Sequence, residues 1–130
     1  MLPEFDQFGN LPPGIYRCVP EELVERFGHG SPERKVETKE LLRFIEWARQ
    51  NGLRRLLVNG SYVTDKKAPN DVDLVVLPGP KFRLPGNEEV IWPFLHVLVA
   101  ADEPDLKRWA EEDFGTDRDF RRKGIVEVIL

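Results

Sequence analysis

The sequence predicts an α/β protein (α+β in the looser sense), a small mixed sheet flanked by helices, on three observations. Short apolar runs of strand length recur at residues 53–58, 74–77, 96–101 and 125–130. Stretches with helical start and stop signals are interleaved with them rather than segregated, the pattern of helices packed on a sheet. The chain has 130 residues, 41% hydrophobic and 32% charged, which suits one globular domain spanning 1–130 and argues against disorder.

Residues 1–19 are rich in Pro, Gly and aromatics and read as an extended N-terminal arm packed on the domain, with Pro12-Pro13-Gly14 as a turn signal. Pro20-Glu21-Glu22 starts a short helix, proline in the first turn and acids at its positive end; Phe27-Gly28-His29-Gly30 stops it. Ser31 then caps a second helix with Pro32 at its first position, running to Gln50 before Asn51-Gly52. Its apolar stripe is Val36, Leu41, Ile45 and Ala48, broadened by Leu42, Phe44 and Trp47, and should cover one face of the sheet.

Residues 53–58 form a strand with Arg54 and Arg55 near its start; because the two alternate, at most one faces any given site. The loop Lys66 to Asn70 leads to a strand over 71–77 that Pro78-Gly79-Pro80 ends. Residues 81–90 read as irregular. Residues 96–101 read as the next strand, 103–114 as a helix ended by Gly115, and 125–130 as the last strand.

Composition excludes several classes. A net charge of −4 argues against extended wrapping of DNA, while leaving room for a nucleotide or the end of an RNA. The lone Cys18 forms no internal disulfide, reads as a small buried hydrophobe, and belongs to no Cys/His zinc pattern. No apolar run reaches membrane-span length and the opening residues lack signal-peptide character, so the expected location is the cytoplasm.

The chemistry concentrates in residues 59–74. Gly60-Ser61 follows one apolar run, and Asp71-Val72-Asp73 opens another. On a strand, Asp71 and Asp73 share a face, and like charges held together call for a cation; a hard divalent ion such as Mg²⁺ (or Mn²⁺) suits carboxylate oxygen. Glycine admits an anion close to the backbone, and serine adds a hydroxyl and an N–H. Metal and phosphate together suggest a nucleoside triphosphate. The plainer alternatives are a turn that needs Gly60 and an N-cap Ser61, a turn capped at Asn70-Asp71, and Asp73 on a solvated strand face.

Gly60-Ser61 followed by Asp71-Val72-Asp73 resembles the signature of nucleotidyltransferases of the DNA polymerase β superfamily, over about sixteen residues. Leu11-Pro12-Pro13-Gly14-Ile15, Val63-Thr64-Asp65 and Lys123-Gly124-Ile125-Val126 resemble an uncharacterised bacterial family of short nucleotidyltransferase-like proteins, across nearly the whole chain. The resemblance implies a polymerase β-like core with a short helical turn after Gly60. It also implies a minimal nucleotidyltransferase, with Asp71 and Asp73 holding Mg²⁺ and Gly60 and Ser61 holding the phosphates of an NTP. Lys66 and Lys67 would neutralise phosphate charge, although at least one reads equally as a solvated loop residue. The acceptor hydroxyl is left open among a protein, a tRNA end and a small molecule, and so short a chain leaves the acceptor site to a protein partner or second copy. Short proteins of this type also resemble the transferase half of a toxin–antitoxin pair. The alternative is a degenerate binding or regulatory module on the same fold.

One departure weighs on that choice. Active members of the superfamily carry a third carboxylate on a later strand, and His96 stands there. A neutral imidazole serves as a base but is a poor ligand for a hard metal. Asp102, Glu88 and Glu89 are the other nearby acids, and a structural hydrogen bond is an equal account of His96. Arg118, Arg121, Arg122 and Lys123 read as a solvated basic patch balancing neighbouring acids, and Trp47, Trp92 and Trp109 as core.

Overall fold

The computed structural model describes residues 2–81 and 92–130. The elements are β1 (Gly14–Cys18), α1 (Pro20–Phe27), α2 (Pro32–Gln50), β2 (Leu53–Asn59), a 3₁₀ turn (Gly60–Val63), β3 (Val72–Pro78), β4 (Leu95–Val99), α3 (Glu103–Arg108) and β5 (Gly124–Val128). Five strands form one mixed sheet in the order β1-β5-β2-β3-β4. β1 runs parallel to β5 and β3 parallel to β4, while β2 is antiparallel to both of its neighbours.

Alternation along the central strands divides the core in two. Leu56, Val58, Leu74, Val76, Val126 and Val128 pack on the side of α1 and α2, against Leu23, Phe27, Leu41, Phe44, Ile45 and Ala48. Leu57, Val75, Leu77 and Ile125 face the other way, onto Leu106 and Ala110 of the α3 segment. Strands covered on both faces read as continuous apolar runs, which is why β2 and β3 stand out in the sequence. The fold is therefore the expected α/β class: a mixed sheet with helices on both sides.

Capping follows the chemistry of the termini. Ser31 Oγ accepts the Arg34 N–H at the start of α2, and Asp102 accepts the Asp105 N–H at the start of α3. Past Arg108 the helix widens into a π turn over Trp109–Asp113, where Trp109 stacks on Phe114. Phe44, Trp47 and Trp92 cluster beneath α2.

Three expectations change. The inner part of the N-terminal arm is not merely packed on the domain: Gly14–Cys18 is the edge strand β1, recruited by β5. Val36 and Leu42 are exposed rather than in the core stripe, and the buried face of α2 includes Arg34, Glu37 and Thr38 in its first half. β3 begins at Val72, so Asp71 lies one residue outside the strand. The irregular stretch expected at 81–90, with Glu88 and Glu89, falls outside the described residues apart from Lys81.

Candidate functional site

Register assembles the site at one end of the sheet. Asn59, the last residue of β2, lies opposite Asp73 of β3, and Asp73 lies beside His96 of β4. On the other flank of β2, Val58 pairs with Val126, which sets the segment Lys123-Gly124 beyond the end of the same strand. Lys123, Asn59-Gly60, Asp73 and His96 thus form a row across β5, β2, β3 and β4.

The Gly-Ser turn is shaped around the second aspartate. Gly60 has φ +76°, and a Cβ there would fall inside the Asp73 carboxylate. Only glycine meets both conditions, because left-handed backbone is costly for other residues and the space is already filled. Behind the turn, Arg34 of α2 acts as a clamp. Its guanidinium donates to the backbone carbonyls of Phe27, Tyr62, Thr64 and Lys66. That commitment of one buried side chain to successive carbonyls fixes residues 61–66, and Thr38 bonds the Tyr62 hydroxyl alongside it.

A cavity of about 570 Å³ opens over this row, within the usual range for small-molecule sites. Gly60, Ser61, Lys66, Asp73, Asn59 and Lys123 line it. Lys67, Asp71 and His96 do not. The arm supplies another wall: Asn10 pairs with Thr64, and Asn10 Nδ2 donates to Asp117.

The charges are held under tension. Burial pushes the Asp73 carboxyl above its ordinary range, opposed by the hydrogen bond from His96, with Asp71 adding upward repulsion. His96 Nδ1 lies 3.2 Å from Asp73 Oδ1, so the imidazole donates there in the tautomer that leaves Nε2 free. Burial pulls Lys123 below the usual lysine range, against the upward pull of Asp73 and Asp117. Asn59 is 1% exposed and its Oδ1 has no partner, a buried oxygen left beside Asp73.

These donors fit a hard cation. Asp73, the Asn59 carbonyl, the Ser61 hydroxyl and Asp71 are all oxygen ligands, and Mg²⁺ is commonly held by one or two carboxylates with substrate phosphates completing its shell. No group of three or more His, Cys, Asp or Glu poised for a metal exists among the described residues.

Other expected residues separate. Asp102 is committed to capping α3. Arg55 is on the same face of the sheet as Asn59 but four residues farther down β2, held by Glu127 and Glu103, and neither Arg54 nor Arg55 lines the cavity. Arg121 pairs with Asp117 and Asp119, as expected of a balanced patch, and stacks 3.9 Å over Phe8, yet it and Arg118 also line the cavity. Lys123 departs from that reading by turning inward. Cys18 is buried, its thiol pushed up to about 11 by desolvation, which makes it inert. Sequence reasoning missed Asn59, Arg34 and Glu37. Adjacency to Gly60 is the only local signal for Asn59, and the two charged helix residues carry none.

Fold and site define an α/β domain with a cavity of mixed charge at one end of its sheet. The chain belongs to the family described as a family of unknown function (DUF6932), whose model matches residues 3–129. Neither a curated protein nor a solved structure matches it. No helix among the described residues is long and apolar enough to cross a membrane.

Proposed function

We propose that this chain is a minimal nucleotidyltransferase, binding Mg²⁺–NTP (or Mn²⁺–NTP) in the cavity over Gly60 and transferring a nucleoside monophosphate to a hydroxyl acceptor. The observation that carries the reading is the fit of Gly60 to Asp73: the Gly-Ser turn and the second aspartate of the motif form one interlocked unit. The resemblance to polymerase β-type enzymes supports the same assignment.

In this reading Asp73, Asp71 and the Asn59 side-chain carbonyl would hold the metal, which would offset charge developing on the phosphates. The Gly60-Ser61 backbone and the Ser61 hydroxyl take phosphate oxygens, with Lys66 and Lys123 as cations lining the cavity. Lys67 drops out of the set; Asp71 and His96 are outside the cavity as well, and stay through their charge interaction and hydrogen bond with Asp73. His96, oriented by Asp73, takes the acceptor proton through Nε2. The acceptor oxygen bonds to the α-phosphorus as the bridge to the β-phosphate breaks, and pyrophosphate leaves. The acceptor is a protein, a tRNA end or a small molecule, with a partner chain or second copy completing its site.

A second reading has its own observation. His96 stands beside Asp73 where a third acid is expected, and no three-member acid or histidine cluster lies among the described residues. This favours a degenerate binding or regulatory module, including one half of a toxin–antitoxin pair.

The test is a thermal-shift screen of four NTPs with and without Mg²⁺, on wild type and on Asp71→Ala/Asp73→Ala, paired with pyrophosphate release. A ligand at one hundred times its Kd stabilises by about 2.7 kcal/mol. A metal-dependent shift lost in the variant, with turnover, is expected. A shift without turnover favours a nucleotide-binding module, and no shift with any NTP overturns the transferase and favours a degenerate, partner-binding one.

A further inference from the structure

A second cavity, of about 310 Å³, lies between the first two turns of α2 and the chain entering β3. Its walls are apolar, from Pro32, Val36, Pro69 and Phe94, and its acids are Glu33 and Glu37. Val36 and Phe94 are 47% and 48% exposed, large side chains left uncovered, whereas Glu37 is only 2% exposed. Glu37 Oε1 has no hydrogen-bond partner. The obvious internal counter-ion, Arg34, is one turn away, but its guanidinium is occupied by loop carbonyls.

An unpaired buried carboxyl group is expensive, and what removes the cost is a donor carrying positive charge. We infer that this cavity binds a guanidinium or alkylammonium group on an apolar stem, its head on Glu37 and Glu33 and its stem along Val36 and Phe94. The chemistry narrows the choice. An anion is repelled, a neutral ligand leaves the carboxylate uncompensated, and the described residues offer no metal cluster here. A guanidinium supplies paired donors in the geometry a carboxylate accepts, and an aromatic wall adds attraction for a cation. Phe94 is held in place for that role at φ 68°, its carbonyl accepting the Val72 N–H at 2.8 Å. Burial, opposed by Arg34 and reinforced by Asp71 and Glu33, pushes Glu37 up to about 7, consistent with a missing positive partner. Asn70 shares this cavity and precedes Asp71, so the site adjoins the motif loop without depending on nucleotide binding.

The experiment titrates the full chain, without nucleotide, with propylguanidinium and with its neutral isostere propylurea, by calorimetry. Saturable binding in the millimolar range or tighter is expected for the cation, with propylurea and Glu37→Gln each weaker by at least about tenfold. Phe94→Ala, which leaves the acids in place, should weaken binding several-fold and keeps the test valid if Glu37→Gln misfolds. A capped Gly-Arg-Gly peptide that binds tighter than propylguanidinium assigns the cation to a protein partner; the reverse order assigns it to a small molecule. Equal binding of propylurea, unchanged affinity in both variants, or no saturable binding of any cation overturns the inference.

Discussion

Asp73 fills the space a side chain at position 60 would need: a Cβ on the left-handed Gly60 would run into the Asp73 carboxylate. Gly60→Ala should therefore lower stability by more than the roughly 1–2 kcal/mol that left-handed backbone costs an L-residue. Adding Asp73→Ala should return part of the loss, because the overlap disappears while the backbone strain stays. Urea melts of the two single variants and the double variant read this coupling directly. Strictly additive losses would show that the two residues do not press on each other.

Arg34 should be the most costly single position in the motif loop. Arg34→Met strips several buried carbonyls of their donor at once, and each unpaired group costs about 1–3 kcal/mol. A loss of at least about 3 kcal/mol is expected in denaturant melts, with Arg34→Lys recovering little, since an ammonium cannot span the same acceptors. Stability within about 1 kcal/mol of wild type in Arg34→Met would refute the clamp.

Lys123→Met separates structure from ligand. The side chain is partly desolvated, so removing its charge should leave the melting temperature unchanged or raise it. Nucleotide affinity should fall by about tenfold, the equivalent of about 1.4 kcal/mol. If affinity for every NTP is retained, Lys123 is no phosphate contact.

His96→Ala should cost about 10²–10⁴ in transfer rate if the imidazole is the base, with NTP binding close to wild type. A variant that loses stability but not rate makes the Asp73 contact purely structural.

Glu37 sets a pH dependence of stability. Its carboxyl group titrates near 4.5 when unfolded and about 7 in the folded chain, so the folded state holds the extra proton between those values. Stability then falls as pH rises from about 4.5 to about 7 and levels off above, since the slope follows protons bound unfolded minus folded. Arg34 opposes this fall, while Asp71 and Glu33 deepen it. Glu37→Gln should flatten the curve over that window and raise the melting temperature at pH 8, by several degrees if the gain reaches about 1 kcal/mol. An unchanged curve would show that Glu37 is not the group responsible.

Much of the fold and half of the site were legible in the chain itself. β2 and β3 are continuous apolar runs because both of their faces are buried, and Ser31-Pro32 marks the start of α2 by cap chemistry that needs no tertiary context. Gly60 and Asp73 were readable as partners because a glycine at a strand end and a carboxylate at the next strand's start each have few uses. What the sequence could not decide depends on contacts between distant segments. β1 is a strand only because β5 offers it an edge, and nothing in Gly14–Cys18 itself requires that pairing. Periodicity follows apolar side chains, so nothing local marks Arg34 or Glu37 as buried. The carbonyls of residues 27 and 62–66 gave Arg34 a reason to be inside, and Glu37 followed one turn later on the same face. Lys123 looked like one more cation in a solvated patch. The strand order β5-β2-β3 brings it to the cavity, because only the folded sheet sets residue 123 across from residues 59–61.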